Sequence, residues 1–156
     1  MSDLPQILVQ CIGNRLGRDD GAGPAVADRL GQPALPARTE IREHWGEGSE
    51  LMQGWERAER VIMVDAASSG APPGTIHRFD ARIQAIPKGF CCYNTHRFGV
   101  AEAVELARAL GRLPKEIHLY AIEGTDFGNG EGLSPAVAEA VDNLSADIMK
   151  HLSDNP

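Results

Sequence analysis

The sequence of 156 residues has few aromatic side chains, few cysteines and no long apolar run. Its two Trp, two Tyr and four Phe predict a core built mainly from Ala, Leu, Val and Ile. No stretch is long and apolar enough to span a bilayer, and no basic and apolar signal opens the chain. Three cysteines, Cys11 and the neighbours Cys91 and Cys92, match neither a disulfide framework nor a paired-thiolate zinc site. We therefore expect reduced thiols in a cytoplasmic protein that makes no contact with membranes.

Positive charge is also scarce. The 15 Lys and Arg residues against 22 Asp and Glu residues give a formal net charge of −7, and no basic block offsets it. Nucleic acid is therefore not an expected partner, because its phosphates would be repelled. The Gly-x-Ser-x-Gly elbow, the phosphate-binding P-loop and the His-Glu-x-x-His zinc helix are absent as well. These absences argue against the familiar classes of serine hydrolase, nucleotide enzyme and zinc peptidase.

Short apolar segments alternate with amphipathic ones, which predicts an α/β fold. Strands are predicted over 6–12, 39–45, 61–65, 75–79 and 117–122. Helices are predicted over 24–30, 49–56, 98–110 and from 134 onward, with Ser49 as the N-cap of the second. The prediction is one domain over residues 1–156: a three-layer α/β fold with a mainly parallel, twisted sheet of about five strands and helices on both faces. The strand over 75–79 is expected to run antiparallel.

Carboxylates follow two of the predicted strands, at the edge where parallel sheets bind ligands. Asp19 and Asp20 come after the first strand, and Asp65 ends the third. His96 precedes a predicted helix, and the irregular segment 80–95 is long enough to return it to the same edge. Two carboxylates and one imidazole would suit a borderline divalent metal such as nickel or zinc.

Each of these residues also has a structural interpretation. Asp19 or Asp20 can cap the helix that starts near Gly21, Asp65 can bond a neighbouring loop, and His96 can be a surface or capping residue. Spacing alone leaves the choice open. No partner pattern surrounds the other four histidines, which are expected to be structural: His44, His77, His118 and His151.

Taken in order, three segments resemble the nickel–iron hydrogenase maturation endopeptidases. They are Gly13-Asn14 with Asp19-Asp20-Gly21-Ala22-Gly23, then Val64-Asp65-Ala66 with Pro73-Gly74, then Thr95-His96 with Gly99. The resemblance covers nearly the whole chain. It implies a cytoplasmic endopeptidase that removes the C-terminal extension from a hydrogenase large-subunit precursor.

The resemblance also implies roles for particular residues. Catalytic and metal-binding roles fall on Asp20, Asp65 and His96, and no ligand role falls on Asp19. The nickel is expected to be supplied by the precursor, while zinc or cadmium can occupy the same ligands in vitro. The precursor is the expected partner, the expected oligomeric state is a monomer, and the loop 46–49 is expected to help select the hydrogenase.

The mechanism stays open at this point. A metal can polarise the scissile carbonyl or activate a bound water, or one aspartate can act as general base while the metal serves for recognition only. Two other functions compete: a non-catalytic nickel-binding maturation chaperone with the same three residues, and a nucleotide-binding α/β module. The second is disfavoured, because two carboxylates stand where a phosphate would bind.

Overall fold

The computed structural model describes residues 5–31, 35–90 and 98–154. Five strands lie in this part of the chain: β1 (Ile7–Ile12), β2 (Thr39–His44), β3 (Arg60–Ala67), β4 (Ile76–Asp80) and β5 (Glu116–Glu123). They form one sheet in the order β2-β1-β3-β5-β4. All neighbours are parallel except β4, which runs antiparallel to β5. The predicted mainly parallel sheet and its antiparallel strand are confirmed.

Helices cover both faces of this sheet, as predicted. They are α1 (Ala22–Leu30), α2 (Gly48–Trp55), α3 (Val100–Ala109) and α4 (Pro135–Asp154), and a short 3-10 helix (Arg18–Gly21) precedes α1. The helices α1 and α4 pack on one face with the odd-numbered residues of β1, and α2 and α3 on the other with Leu8 and Ile12. None of the described helices has the length and apolarity that a membrane span requires.

A buried amide fixes α2 to the central strand β1. Gln10 is fully buried on the face that α2 covers. Its Nε2 donates to the carbonyl of Leu51 at 3.1 Å, and its Oε1 accepts from Nε1 of Trp55 at 2.8 Å. Because both ends of the amide are bonded, burial leaves no orphaned polar atom there, and the helix has one preferred position on the sheet.

Two predicted boundaries are wrong, and tertiary contacts explain both. Ser49 is not the N-cap of α2: the Glu47 carboxylate accepts the N–H groups of Ser49 and Glu50, each at 3.1 Å. Asp65 does not end β3, because β5 continues alongside and pairs with two further residues of that strand, as far as Glu123. Cys11, on β1, is buried, and burial raises the pKa of its thiol to about 12, together with the carboxylates of Glu43 and Asp28.

Gly23 allows α1 to lie directly against β1, which gives a test of this packing. A Cβ at Gly23 would lie 2.2 Å from the carbonyl oxygen of Ile12 and 2.8 Å from its nitrogen. Since β1 is held by strands on both sides, we expect Gly23→Ala to lower the free energy of unfolding by about 1–3 kcal/mol in urea titrations. Gly31→Ala is the control, because its nearest new contact would be 3.4 Å. Equal losses in the two variants would contradict this account.

Candidate active site

The loop that follows β1 (residues 13–17, the first loop) places Asp20 at the carboxyl edge of the sheet. Gly13 has a φ of 149°, and a Cβ there would lie 2.0 Å from the carbonyl oxygen of Asp20, so only glycine fits. The N–H of Asn14 donates to that same carbonyl at 3.1 Å, and the N–H of Asp20 donates to the carbonyl of Gly17 at 3.1 Å. The backbone of Asp20 is therefore fixed from both sides.

Asp19 has a structural role that spacing did not reveal. It is fully buried, and its Oδ2 accepts the N–H groups of Thr125 and Asp126 at 2.9 Å and the hydroxyl of Ser134 at 2.8 Å. Its Oδ1 accepts the N–H of Ser134 at 2.8 Å. Burial alone would raise the pKa of Asp19, but these donors outweigh burial and hold the pKa below its ordinary value. The carboxylate thus joins the loop after β5 to the 3-10 helix that follows the first loop.

The helix-capping interpretation of Asp19 and Asp20 is wrong. The N-cap of α1 is Gly21 and that of the 3-10 helix is Gly17, and neither end has a side-chain capping bond. No nearby residue could have indicated the true role of Asp19, since its partners lie more than a hundred positions along the chain.

Asp20 is in the opposite electrostatic state. It is half-buried, and burial raises the pKa of its carboxyl, offset only in part by the backbone N–H of Asn14. A carboxylate that has lost water without gaining strong donors is stabilised by a nearby cation. Its chemistry therefore suits a metal ligand or a proton acceptor.

Asp65 lies on β3 beside the first loop. The pairing of β1 with β3 ends at Cys11 and Val64, so Asp65 is the next residue of β3, at the level where β1 turns away. It is buried, with 4% of its surface exposed, and its Oδ1 accepts the N–H of Ala66 at 2.8 Å. The structure thus brings Asp20 and Asp65 to the same edge, on neighbouring strands and their connections.

His96 lies outside the described residues, as do Cys91 and Cys92. Phe90 and Phe98, which precede and follow residues 91–97, each make a backbone hydrogen bond to another loop. The carbonyl of Phe90 accepts the N–H of Ser68, after β3, at 3.2 Å. The carbonyl of Phe98 accepts the N–H of Gly48, after β2, at 2.8 Å, and a Cβ on Gly48 would lie 2.9 Å from the Phe98 ring. Both flanks are therefore at the carboxyl edge of the sheet.

A further buried carboxylate, to which the sequence analysis gave no role, lies at this edge. Glu123 is 1% exposed, and it accepts the N–H of Ser69 at 2.8 Å and the hydroxyl of Ser69 at 2.6 Å. Its Oε1 also lies 3.0 Å from Nε2 of His77. Burial would raise the pKa of Glu123, but Ser69 and His77 outweigh it and keep the pKa low. Glu123 thus fixes the turn after β3, and His77 has a partner that its sequence context did not suggest.

The opposite edge of the sheet holds another group with metal-ligand chemistry. Ligand atoms of Glu116, His118 and His151 lie within 4.8 Å of one another, although no partners were expected for these histidines. Arg60 lies among them: its Nε donates to Glu116 at 2.6 Å, and its Nη2 is 3.2 Å from Nε2 of His151. Because this guanidinium is a permanent positive charge, it opposes a bound cation.

Comparisons with known proteins define the class. The family model for hydrogenase maturation proteases matches residues 40–151. The chain is 29% identical over 151 residues to the hydrogenase expression/formation protein HupD of Rhodobacter capsulatus, covering 94% of this chain and 71% of that one. It is 30% identical over 152 residues to a putative hydrogenase maturation protease of Methanocaldococcus jannaschii, covering 92% and 94%.

Solved structures give the same result for the fold. An endopeptidase from Escherichia coli, determined in solution, aligns with a TM-score of 0.80 at 25% identity, covering 96% of this chain and 93% of that one. The hydrogenase maturating endopeptidase HybD from E. coli aligns with a TM-score of 0.78 at 24% identity over the same shares. The chain belongs to the hydrogenase maturation protease family and is a protease of hydrogenase maturation, which confirms the resemblance seen in its motifs.

The two adjacent aspartates should respond oppositely to loss of charge. Asp19→Asn replaces an acceptor of four hydrogen bonds, so we expect the free energy of unfolding at pH 7 to fall by about 2 kcal/mol or more. Asp20→Asn removes a desolvated charge, so at pH 7 the variant should be at least as stable as the wild type. Urea titrations of both variants measure the difference.

The contributions of Asp19 and Asp20 to the free energy of unfolding should also change with pH in opposite directions. The folded-state pKa of Asp19 is lowered, so its contribution is present above the unfolded pKa of about 4 and is lost as pH falls through the folded value. The folded-state pKa of Asp20 is raised, so its penalty is present above that value and vanishes below the unfolded one. If Asp19→Asn and Asp20→Asn were both less stable than the wild type at pH 7, the opposite roles assigned to these two residues would be contradicted.

Proposed function

We propose that this protein removes the C-terminal extension of a nickel–iron hydrogenase large-subunit precursor after nickel insertion, and that Asp20, Asp65 and His96 recognise the nickel. The observation that carries the proposal is the contrast at the carboxyl edge of the sheet. Asp19 is saturated with donors, whereas burial raises the pKa of its neighbour Asp20 with little compensation. A buried carboxylate, Asp65, lies on the adjoining strand. Carboxylate and imidazole ligands fit nickel, and they fit zinc or cadmium in vitro.

The contacts on either side of residues 91–97 support His96 as the third ligand. Phe98 is bonded at Gly48, after β2, and Phe90 at Ser68, after β3, so these anchors stand on opposite sides of β1. One residue separates His96 from Phe98, and two steps along the chain span at most about 7 Å. His96 is therefore within reach of the edge that carries Asp65.

The nickel is part of the substrate in this proposal. A precursor without metal offers only its peptide, so the enzyme binds it less well and cleavage follows nickel insertion. The bound metal supplies Lewis acidity to the scissile carbonyl or to a water. Where the metal serves for recognition only, Asp20 is suited to accept a proton from the attacking water, because its pKa is raised.

The remaining parts of the proposal concern the protein as a whole. We propose that residues 1–156 form one domain that acts as a monomer in the cytoplasm on the large-subunit precursor. The net charge of −7 supports the exclusion of nucleic acid as a partner.

Asp65→Asn should abolish release of the C-terminal peptide from nickel-loaded precursor, because the amide is a weaker ligand than the carboxylate. Mass spectrometry of the large subunit measures cleavage, and circular dichroism shows whether the fold is kept. Asp142→Asn is the matched control: this aspartate on α4 is 56% exposed and pairs with Arg29, so processing should continue.

Three outcomes would contradict parts of the proposal. Full cleavage of the precursor by Asp65→Asn would show that Asp65 is not a required metal ligand. Equal cleavage of nickel-free and nickel-loaded precursor would remove the metal checkpoint. Binding of loaded precursor by the wild type without peptide release would favour the nickel-binding chaperone.

A further inference from the structure

Two large apolar side chains are exposed beside the candidate active site. Leu16, in the first loop, is 59% exposed, and Trp45, directly after β2, is 69% exposed. Leu16 precedes Gly17, and a Cβ on Gly17 would lie 3.0 Å from Cβ of Asp20. Leu16 follows β1 and Trp45 follows the parallel strand β2, so both residues lie at the carboxyl edge of the sheet, which also carries Asp20 and Asp65.

The loops that carry these side chains are tied to each other. The N–H of Gly13 donates to the carbonyl of His44 at 2.9 Å. The guanidinium of Arg15 bonds Glu43 through Nε at 2.9 Å and Nη2 at 2.8 Å. The same guanidinium bonds Asp28 on α1 through both Nη atoms, at 2.8 and 2.9 Å. A forked cation between two carboxylates holds the two loops in one relative position.

The backbone next to each exposed side chain is also anchored. The N–H of Leu16 donates to Oδ1 of Asn14 at 2.9 Å, and its carbonyl accepts the N–H of Gly130 at 2.8 Å. After Trp45 the chain enters the cap of α2, where Glu47 accepts two N–H groups. Anchored apolar groups lose little conformational freedom when a partner binds, which favours them as binding anchors.

We infer that Leu16 and Trp45 form an apolar rim that docks the hydrogenase large-subunit precursor, by taking up apolar side chains next to its scissile bond. The inference rests on the proposed function. The occupant follows from position, because a peptide that reaches Asp20 or Asp65 enters at the edge that these side chains border. The charged side chains of these two loops are already engaged, since Arg15 pairs with Asp28 and Glu43 and the Glu47 carboxylate accepts two N–H groups of α2.

The chain offers a matched control far from the rim. Ile83 is 79% exposed and follows β4, which runs antiparallel to the other strands, so it lies at the opposite edge of the sheet. Ile83→Ala removes a comparable exposed apolar group without touching the first loop or the loop after β2.

The test compares processing of nickel-loaded precursor by the wild type, Trp45→Ala, Leu16→Ala and Ile83→Ala. We expect KM to rise about tenfold for Trp45→Ala and less for Leu16→Ala, with the loss in KM rather than in kcat. Trp45→Phe should recover part of the loss, and Ile83→Ala should behave as the wild type. A KM within twofold of the wild type for Trp45→Ala would overturn the inference.

Direct binding separates failure of the rim from failure of the proposed function. Calorimetry with the loaded precursor should show weaker binding to Trp45→Ala whether or not the wild type cleaves. Unchanged affinity would overturn the rim even if processing occurs. Sedimentation of the free protein tests whether the rim binds a second copy of the chain instead. If the wild type were a dimer and Trp45→Ala a monomer, the inference would be overturned.

Discussion

The carboxylate of Asp19 holds together the two loops on which the candidate site depends. It accepts hydrogen bonds from three residues of the segment after β5, while its own backbone belongs to the 3-10 helix that follows the first loop. Charged hydrogen bonds in a buried place are stronger than exposed ones, and leaving their donors unpaired is costly. The position of Asp20 is therefore fixed in part by its neighbour Asp19, which has no part in the proposed chemistry.

Asp19 and Asp20 are adjacent carboxylates whose pKa values shift in opposite directions. Folding stabilises the ionised form of Asp19 and disfavours that of Asp20, because only the first has enough donors. The unfavourable burial of Asp20 is tolerable because it is a small part of the total stability, and a bound cation would remove it. Asp19 thus contributes to stability, while its neighbour Asp20 carries the role in recognition that we propose.

Sequence patterns predicted the strands, the helices and the edge of the sheet at which Asp20 and Asp65 lie, because these follow from periodicity and from the geometry of parallel sheets. They could not separate the roles of Asp19 and Asp20, since both aspartates share one local context and differ only in contacts with distant residues. The cap formed by Glu47 and the extension of β3 beyond Asp65 also depend on tertiary contacts. The pairing of Glu123 with His77 was invisible for the same reason.

The two edges of the sheet differ in whether an arginine already pairs with the potential metal ligands. At the amino edge, Glu116 and His151 already share the guanidinium of Arg60. At the carboxyl edge, Arg15 of the first loop pairs with Glu43 and Asp28, and no cationic side chain of the described residues lowers the pKa of Asp20. In the proposed function, a metal carried by the precursor meets Asp20 at the carboxyl edge, which is also the edge at which Leu16 and Trp45 are exposed.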